Sequence, residues 1–130
     1  MNCLVDTNVI SDVNYQDPNW FDWSSEKMGT HHCLINPIIY SELAYRAESF
    51  TSVDEILTRY ELTYTELPRK ALFLAAQAFK TYRKKGGTKT APLPDFFIGA
   101  HAQASALPLI TRDTARYQTY FPDVALICPD

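Results

Sequence analysis

Apolar residues in this chain fall into two alternating arrangements. Short unbroken runs, Cys3-Leu4-Val5, Cys33-Leu34-Ile35, Leu109-Ile110 and Val124-Ala125-Leu126-Ile127, read as buried strands. Between them lie stretches with helical spacing and helix start and stop signals. After Asp6-Thr7-Asn8, apolar residues resume at Val9, Ile10 and Val13, so the first strand turns abruptly into a helix. Asp17-Pro18 has the form of an N-cap followed by a first helical residue, and predicts a helix through Trp20, Phe21, Trp23 and Met28 that ends at Gly29. Asn36-Pro37 repeats that start and opens a helix from Pro37 to Ser49. Ser52 with Glu55 has capping-box spacing and predicts a helix from Val53 to Tyr60. Thr63 to Leu67 alternates, with polar residues suited to an edge strand. A long helix from Pro68 to Lys85 carries Leu72, Ala75, Ala76 and Phe79 on one stripe and is stopped by Gly86-Gly87. Pro94-Asp95 begins a helix, Phe96 to Ala104, that is apolar around most of its circumference and therefore buried, with His101 at the rim of its packed face. Asp113 stands before a last helix, Thr114 to Tyr120.

Alternating strands and helices, with strand runs that are apolar on both faces, predict a mainly parallel central sheet covered on each side. The expected architecture is an α/β, three-layer α/β/α sandwich, with residues 1–130 forming one domain. No repeat or linker divides the chain.

Composition narrows the function. Hydrophobic residues make up 46% and aromatic residues 13% of 130, which favours a packed globular fold over disorder. No apolar run approaches the roughly 20 residues of a membrane-spanning helix, and the N-terminus lacks the basic and apolar regions of a secretory signal. The three cysteines, Cys3, Cys33 and Cys128, are far apart, lack metal-ligand spacing and lie in or beside strands, as buried small hydrophobes do. A reducing cytoplasm is the expected compartment. The adjacent pair His31-His32 does not easily converge on one metal. The net charge of −3 argues against a generic nucleic-acid binder. Yet Lys80, Arg83, Lys84, Lys85 and Lys89 cluster within ten residues, either as a solvated helix end that complements the dipole or as a phosphate-contacting patch.

Four acids carry the candidate chemistry. Asp6 and Asp113 both follow apolar strands, so a parallel sheet places them on one edge, where ligands of such folds bind. Glu42 projects between Ile38 and Ile39 on the inward side of its helix, and Asp95 lies in the first turn of the buried helix. Each has an ordinary explanation: an i,i+4 pair of Glu42 with Arg46, dipole complementation by Asp95, capping by Asp113. Those explanations do not predict convergence. Carboxylates gathered together repel unless some are protonated or a divalent cation is bound, and oxygen ligands without cysteine or histidine suit Mg²⁺ or Mn²⁺. Removing the four acids from a net charge of −3 leaves +1, so the remaining surface tolerates a polyanion.

The blocks Val5-Asp6-Thr7-Asn8, Ser41-Glu42-Leu43, Asp95-Phe96-Phe97-Ile98-Gly99-Ala100-His101-Ala102 and Leu109-Ile110-Thr111-Arg112-Asp113, in this order and approximate spacing, resemble the PIN-domain ribonucleases, and among them the VapC-type toxins of toxin–antitoxin pairs. Gly99 stands where the family often has alanine, and residues 14–32 match little. The resemblance implies a metal-dependent endoribonuclease in which Asp6, Glu42, Asp95 and Asp113 hold one or two Mg²⁺ ions, with Mn²⁺ able to substitute. It implies Thr7, Asn8 and Thr111 as supporting residues that orient carboxylates or water. Arg112, with Arg83, Lys84, Lys85 and Lys89, becomes a candidate for RNA contacts. A 5′-phosphate product, a homodimer and a cognate antitoxin protein, with no membrane association, complete the expectation. Nothing in the chain resembles a pro-segment, so restraint of the nuclease is expected from another chain. Trp20, Phe21 and Trp23, with the helix from Val53 to Tyr60, are the expected contact surface for that inhibitor.

Rival readings are a housekeeping RNA-processing nuclease of the same fold and a PIN-fold protein-binding module without catalysis; the latter needs none of the four acids. Other phosphoryl chemistry fits less well. A haloacid-dehalogenase-type phosphatase shows Asp-x-Asp after its first strand where this chain has Asp6-Thr7-Asn8, and a receiver domain needs paired early acids and a late lysine.

Overall fold

Cys3, Leu4 and Val5 expose no surface at all, as a strand covered on both faces requires. In the computed structural model, which describes residues 1–130, they belong to β1 (Asn2–Val5), the middle strand of five. The remaining elements are α1 (Thr7–Asn14), α2 (Phe21–Gly29), β2 (His32–Ile35), α3 (Pro37–Arg46), α4 (Phe50–Arg59), β3 (Thr63–Tyr64), α5 (Arg69–Lys84), α6 (Pro94–Ala104), β4 (Leu109–Ile110), α7 (Ala115–Tyr120) and β5 (Leu126–Ile127). The strand order is β3-β2-β1-β4-β5 and every pairing is parallel. Cys3 stands opposite Cys33, and Val5 opposite Ile110.

From β1 the chain builds outward through β2 and β3, then crosses back to add β4 and β5 on the other side. The reversal falls between β1 and β4. Right-handed crossovers therefore put α1 to α4 over one face and α5 to α7 over the other. Most of the packing agrees: α1 meets α2 and α3, and α3 meets α4, whereas α5 meets α6 and α6 meets α7; the start of α3 also meets α6, where Asn36 bonds His101. This is the expected three-layer arrangement, with a sheet that is wholly rather than mainly parallel. At a reversal the two neighbouring connections leave to opposite faces and open a crevice at the strands' carboxyl ends. Asp6 follows β1 and Thr111 follows β4, so both lie at that crevice.

Several boundaries differ from the sequence expectation, each for a local reason. Asp17 does accept from the backbone N–H groups of Asn19 and Trp20, but as a turn ahead of α2, which starts at Phe21 rather than Pro18. Helix α3 stops at Arg46 instead of Ser49, because Ser49 is extended and serves as the cap of the next helix. Its hydroxyl accepts from Ser52 N–H at 3.1 Å, so α4 begins at Phe50, three residues earlier than the Ser52–Glu55 spacing suggests. Residues Ala71, Ala75 and Ala78 form the buried stripe of α5, while Leu72 and Ala76 face solvent. Small residues on the inner side let α5 and α6 approach closely, and size there prevails over hydrophobicity. His101 is fully packed rather than at a rim: it is 2% exposed, and its Nδ1 accepts from Asn36 Nδ2 at 3.1 Å.

Candidate active site

Strand β1 ends where Asp6 takes the N-cap position of α1, its Oδ1 accepting from Thr7 N–H at 2.8 Å. The capping role and the site role coincide. Its other oxygen, Oδ2, accepts from the Thr111 hydroxyl at 2.8 Å and from the Tyr117 hydroxyl at 2.9 Å. Oδ2 is thereby filled, and Oδ1 keeps one lone pair. Burial pushes the Asp6 carboxyl up to about 6; the two hydroxyl donors oppose that rise, and the charges of Asp95 and Glu42 add to it.

Helix α3 brings Glu42 to the same edge. Glu42 Oε1 accepts from the Thr7 hydroxyl at 2.7 Å, so one residue of the Asp6-Thr7 turn holds the second acid. The i,i+4 alternative does not form: Arg46 lies with its guanidinium carbon 3.7 Å from the centre of the Tyr15 ring. Burial raises the Glu42 carboxyl, the Thr7 bond counters it, and the Asp95 charge raises it further. Asp95, in the first turn of α6, is also raised, first by burial and then by the charge of Asp113, against the opposing effects of Arg116 and Tyr117. The Tyr117 hydroxyl lies 3.4 Å from Asp95 Oδ1 and so stands between the carboxyls of Asp6 and Asp95. Burial and both charges push its own ionisation upward, which keeps it a donor.

Asp6, Glu42 and Asp95 are therefore close enough to disfavour one another's ionisation. Asp113 is exposed at the mouth and shares a cleft with Asp95, Tyr82, Ala115, Arg116, Thr119 and Tyr120. It does not cap α7, whose N-cap is Thr114 without a side-chain bond. No three acidic, histidine or cysteine side chains close on a single point. The donor chemistry still fits a hard cation: the groups that face one another are carboxyl and hydroxyl oxygens, and the nearby His101 is turned to Asn36 and kept neutral by burial.

Among the supporting candidates, Thr7 and Thr111 each bond an acid. Asn8 does not; its Oδ1 accepts from Arg112 N–H at 3.4 Å. The Arg112 guanidinium, expected on phosphate, is bound by buried Asp12 through Nε–Oδ2 at 2.6 Å and Nη2–Oδ1 at 2.9 Å, and Ser24 supplies Asp12 a further bond at 2.8 Å. The ring of Trp20 covers the same guanidinium. This fork joins α1, α2 and the loop after β4, and so fixes the segment Thr111-Arg112-Asp113. The basic cluster lies at the rim of the acidic cleft. Lys85 Nζ sits 5.4 Å from the centre of the Tyr120 ring, Lys89 N–H donates to Tyr82 Oη at 3.3 Å, and Arg83 Nη1 donates to the Lys89 carbonyl. Lys84 is exposed beside them.

Tyr117 and Arg116 were not nominated by sequence. The available signal was position: Tyr117 lies four residues beyond Asp113, in the helix that follows the strand end.

By fold and site this is a parallel-sheet α/β protein with an acidic cleft at its switch point. The model of the PIN domain matches residues 3–122, and the chain belongs to the PIN-domain family, whose members are nucleases. The fold is similar to that of VapBC2 from Rickettsia felis bound to a promoter DNA fragment, at 18% identity, TM-score 0.72 and 100% of both chains. It is also similar to VapBC-1 from nontypeable Haemophilus influenzae, at 20% identity, TM-score 0.73 and 98% of each chain. FitAcB from Neisseria gonorrhoeae shares 23% identity with a TM-score of 0.68, over 98% of this chain and 96% of that one. No curated protein matches the chain. No helix is long and apolar enough to cross a membrane.

Proposed function

We propose that the protein is a Mg²⁺-dependent endoribonuclease acting as the toxin of a toxin–antitoxin pair, as a homodimer in the cytoplasm. The observation that carries this reading is the gathering of Asp6, Glu42 and Asp95 at the β1/β4 crevice, each carboxyl raised first by burial and further by a neighbouring carboxylate, with Asp113 at its mouth. Buried acids that destabilise one another's charge gain most from a divalent cation. Asp6, Glu42, Asp95 and Asp113 would hold that cation, Mg²⁺ or Mn²⁺. When bound, it supplies an activated water and stabilises charge on the attacked phosphate, which leaves a 5′-phosphate product. The chain's own contribution is orientation. Thr7 fixes Glu42, while Thr111 and Tyr117 occupy Asp6 Oδ2, so that a cation would be met by the lone pair left on Oδ1. Membership of a nuclease family supports hydrolysis, and the similar VapBC structures, which are toxin–antitoxin complexes, support a protein partner.

The test is incubation of a mixed RNA pool with and without Mg²⁺, with product ends mapped. Wild type should cut only with the cation, and Asp95→Asn should be inactive although folded. Expression of wild type alone should arrest growth, and a neighbouring small gene product should relieve the arrest and co-purify. Cation-independent cutting would remove the metal mechanism. Harmless high-level expression of an active enzyme would favour RNA processing over a toxin.

A further inference from the structure

Arg116 lies on the wall of the cleft that holds Asp95 and Asp113, yet neither an acid nor a carbonyl satisfies it. Its Nε is 3.7 Å from Asp95 Oδ2, too long for a hydrogen bond, and its Nη1 is buried with no partner. An unsatisfied buried donor is uncommon in a folded protein, and the side chain that carries it is 31% exposed at the cleft, where an acceptor from outside can meet the guanidinium. The guanidinium is nonetheless held in place. Its carbon sits 5.4 Å from the centre of the Phe96 ring and 5.7 Å from that of Tyr82, which restricts the plane of the fork. Arg112, four residues earlier in the chain, shows the contrast: two bonds to Asp12 leave its fork occupied.

We infer that Arg116 contacts a phosphate of the RNA strand lying in this cleft, an assignment that rests on the nuclease reading. A planar fork pairs with two phosphate oxygens at once, which the basic cluster of lysines at the rim cannot do. Asp95 holds Arg116 only loosely, so the guanidinium is available to the substrate. The cleft presents Asp95 and Asp113, which would help hold a cation, together with a guanidinium, and the lysines of the rim continue the path.

The test uses Arg116→Gln and Arg116→Lys. Each protein is titrated with a fluorescent single-stranded RNA over a salt series, with Ca²⁺ replacing Mg²⁺ to slow cleavage, and separately with Mg²⁺ alone by calorimetry. Arg116→Gln should bind RNA roughly tenfold more weakly, as loss of a charge-assisted bond implies. Its salt slope should be shallower by about 0.7, one phosphate contact on a single strand. Mg²⁺ affinity should be unchanged or tighter, since Asp95 loses a competing cation. Arg116→Lys should keep the slope and lose part of the affinity. Unchanged RNA affinity and slope in Arg116→Gln, with or without a lower melting temperature, would overturn the assignment and leave Arg116 a counter-ion of Asp95. A parallel loss of Mg²⁺ and RNA binding would also overturn it. A wild-type protein that binds RNA through Arg116 but never cuts it would sink the nuclease reading and leave the contact standing.

Discussion

Asp6 shows how one residue serves both fold and site. Its backbone ends β1, its Oδ1 caps α1, and its Oδ2 gathers Thr111 from β4 and Tyr117 from α7. The cost is a carboxyl whose ionisation is pushed up to about 6, against an ordinary 3.8. Between those two values the metal-free native state binds more protons than the unfolded chain, so stability falls as pH rises through the window. The shift corresponds to about 3 kcal/mol. Metal-free melts should therefore show lower stability at pH 7 than at pH 4.5, and Asp6→Asn should flatten that dependence by about 2 kcal/mol, the part of the shift that falls between those two pH values. Saturating Mg²⁺ should raise the melting temperature at pH 7 far more than at pH 4.5. A metal-free protein whose stability rises from pH 4.5 to 7, equally in wild type and Asp6→Asn, would show that the carboxyl is not held in this strained state. The sequence revealed Asp6 because an acid ending an apolar run is conspicuous. It gave no warning of Tyr117, since a tyrosine in a short amphipathic helix usually packs without bonding a carboxyl.

At the level of elements, the legible features were those with strong local chemistry. Asn36-Pro37 announces α3, and the structure shows Asn36 Oδ1 accepting from Ile39 N–H at 2.9 Å. Gly86-Gly87 stops α5 through paired bonds, Gly87 N–H to the Tyr82 carbonyl and Gly86 N–H to that of Arg83, with Gly86 at φ +92. Less legible was anything set by a distant neighbour. Ser49 and Ser52 are both acceptable caps by type, and the backbone course between α3 and α4 selects Ser49. The inner stripe of α5 depends on how closely α6 approaches. Gly99 belongs to this second class, because the ring of Phe121 lies across it. A Cβ built there would fall 2.4 Å from Phe121 Cδ2, and that ring is 3% exposed. Gly99→Ala should cost about 1–3 kcal/mol through overpacking between α6 and the end of α7. Urea unfolding should show a lower midpoint with the slope unchanged. An unaltered midpoint would mean that Phe121 swings aside freely, and that the glycine has no packing role.

At the scale of the whole molecule, charge is sorted by place. The chain is acidic overall, at −3, yet four of its acids lie at one crevice and a basic segment borders it. Of the expected partner surface, Trp20 and Trp23 are partly buried, packed edge to face with Arg112 over Trp20, whereas Phe21 is exposed. Larger apolar exposure stands elsewhere, at Tyr45 (90% exposed), Phe50 (76%) and Phe73 (62%). That redistribution was invisible in sequence because helix faces are assigned only when the neighbouring layers are known. The basic segment, by contrast, was conspicuous as a run, and its geometry turns an ambiguous cluster into a specific expectation. Its bonds to Tyr82 and its contact with Tyr120 tie it to residues lining the acidic cleft, so it can continue a strand's phosphate path. Replacing Lys84, Lys85 and Lys89 together by glutamine should weaken RNA binding and flatten its salt dependence by about 2, at about 0.7 per contact. Mg²⁺ affinity and melting temperature should hardly move, because all three side chains are exposed and lie outside the acid cluster. The measurement is RNA affinity against salt concentration for wild type and the triple variant. A retained slope would return these lysines to the role of a solvated helix end, complementing the dipole of α5 and touching no substrate.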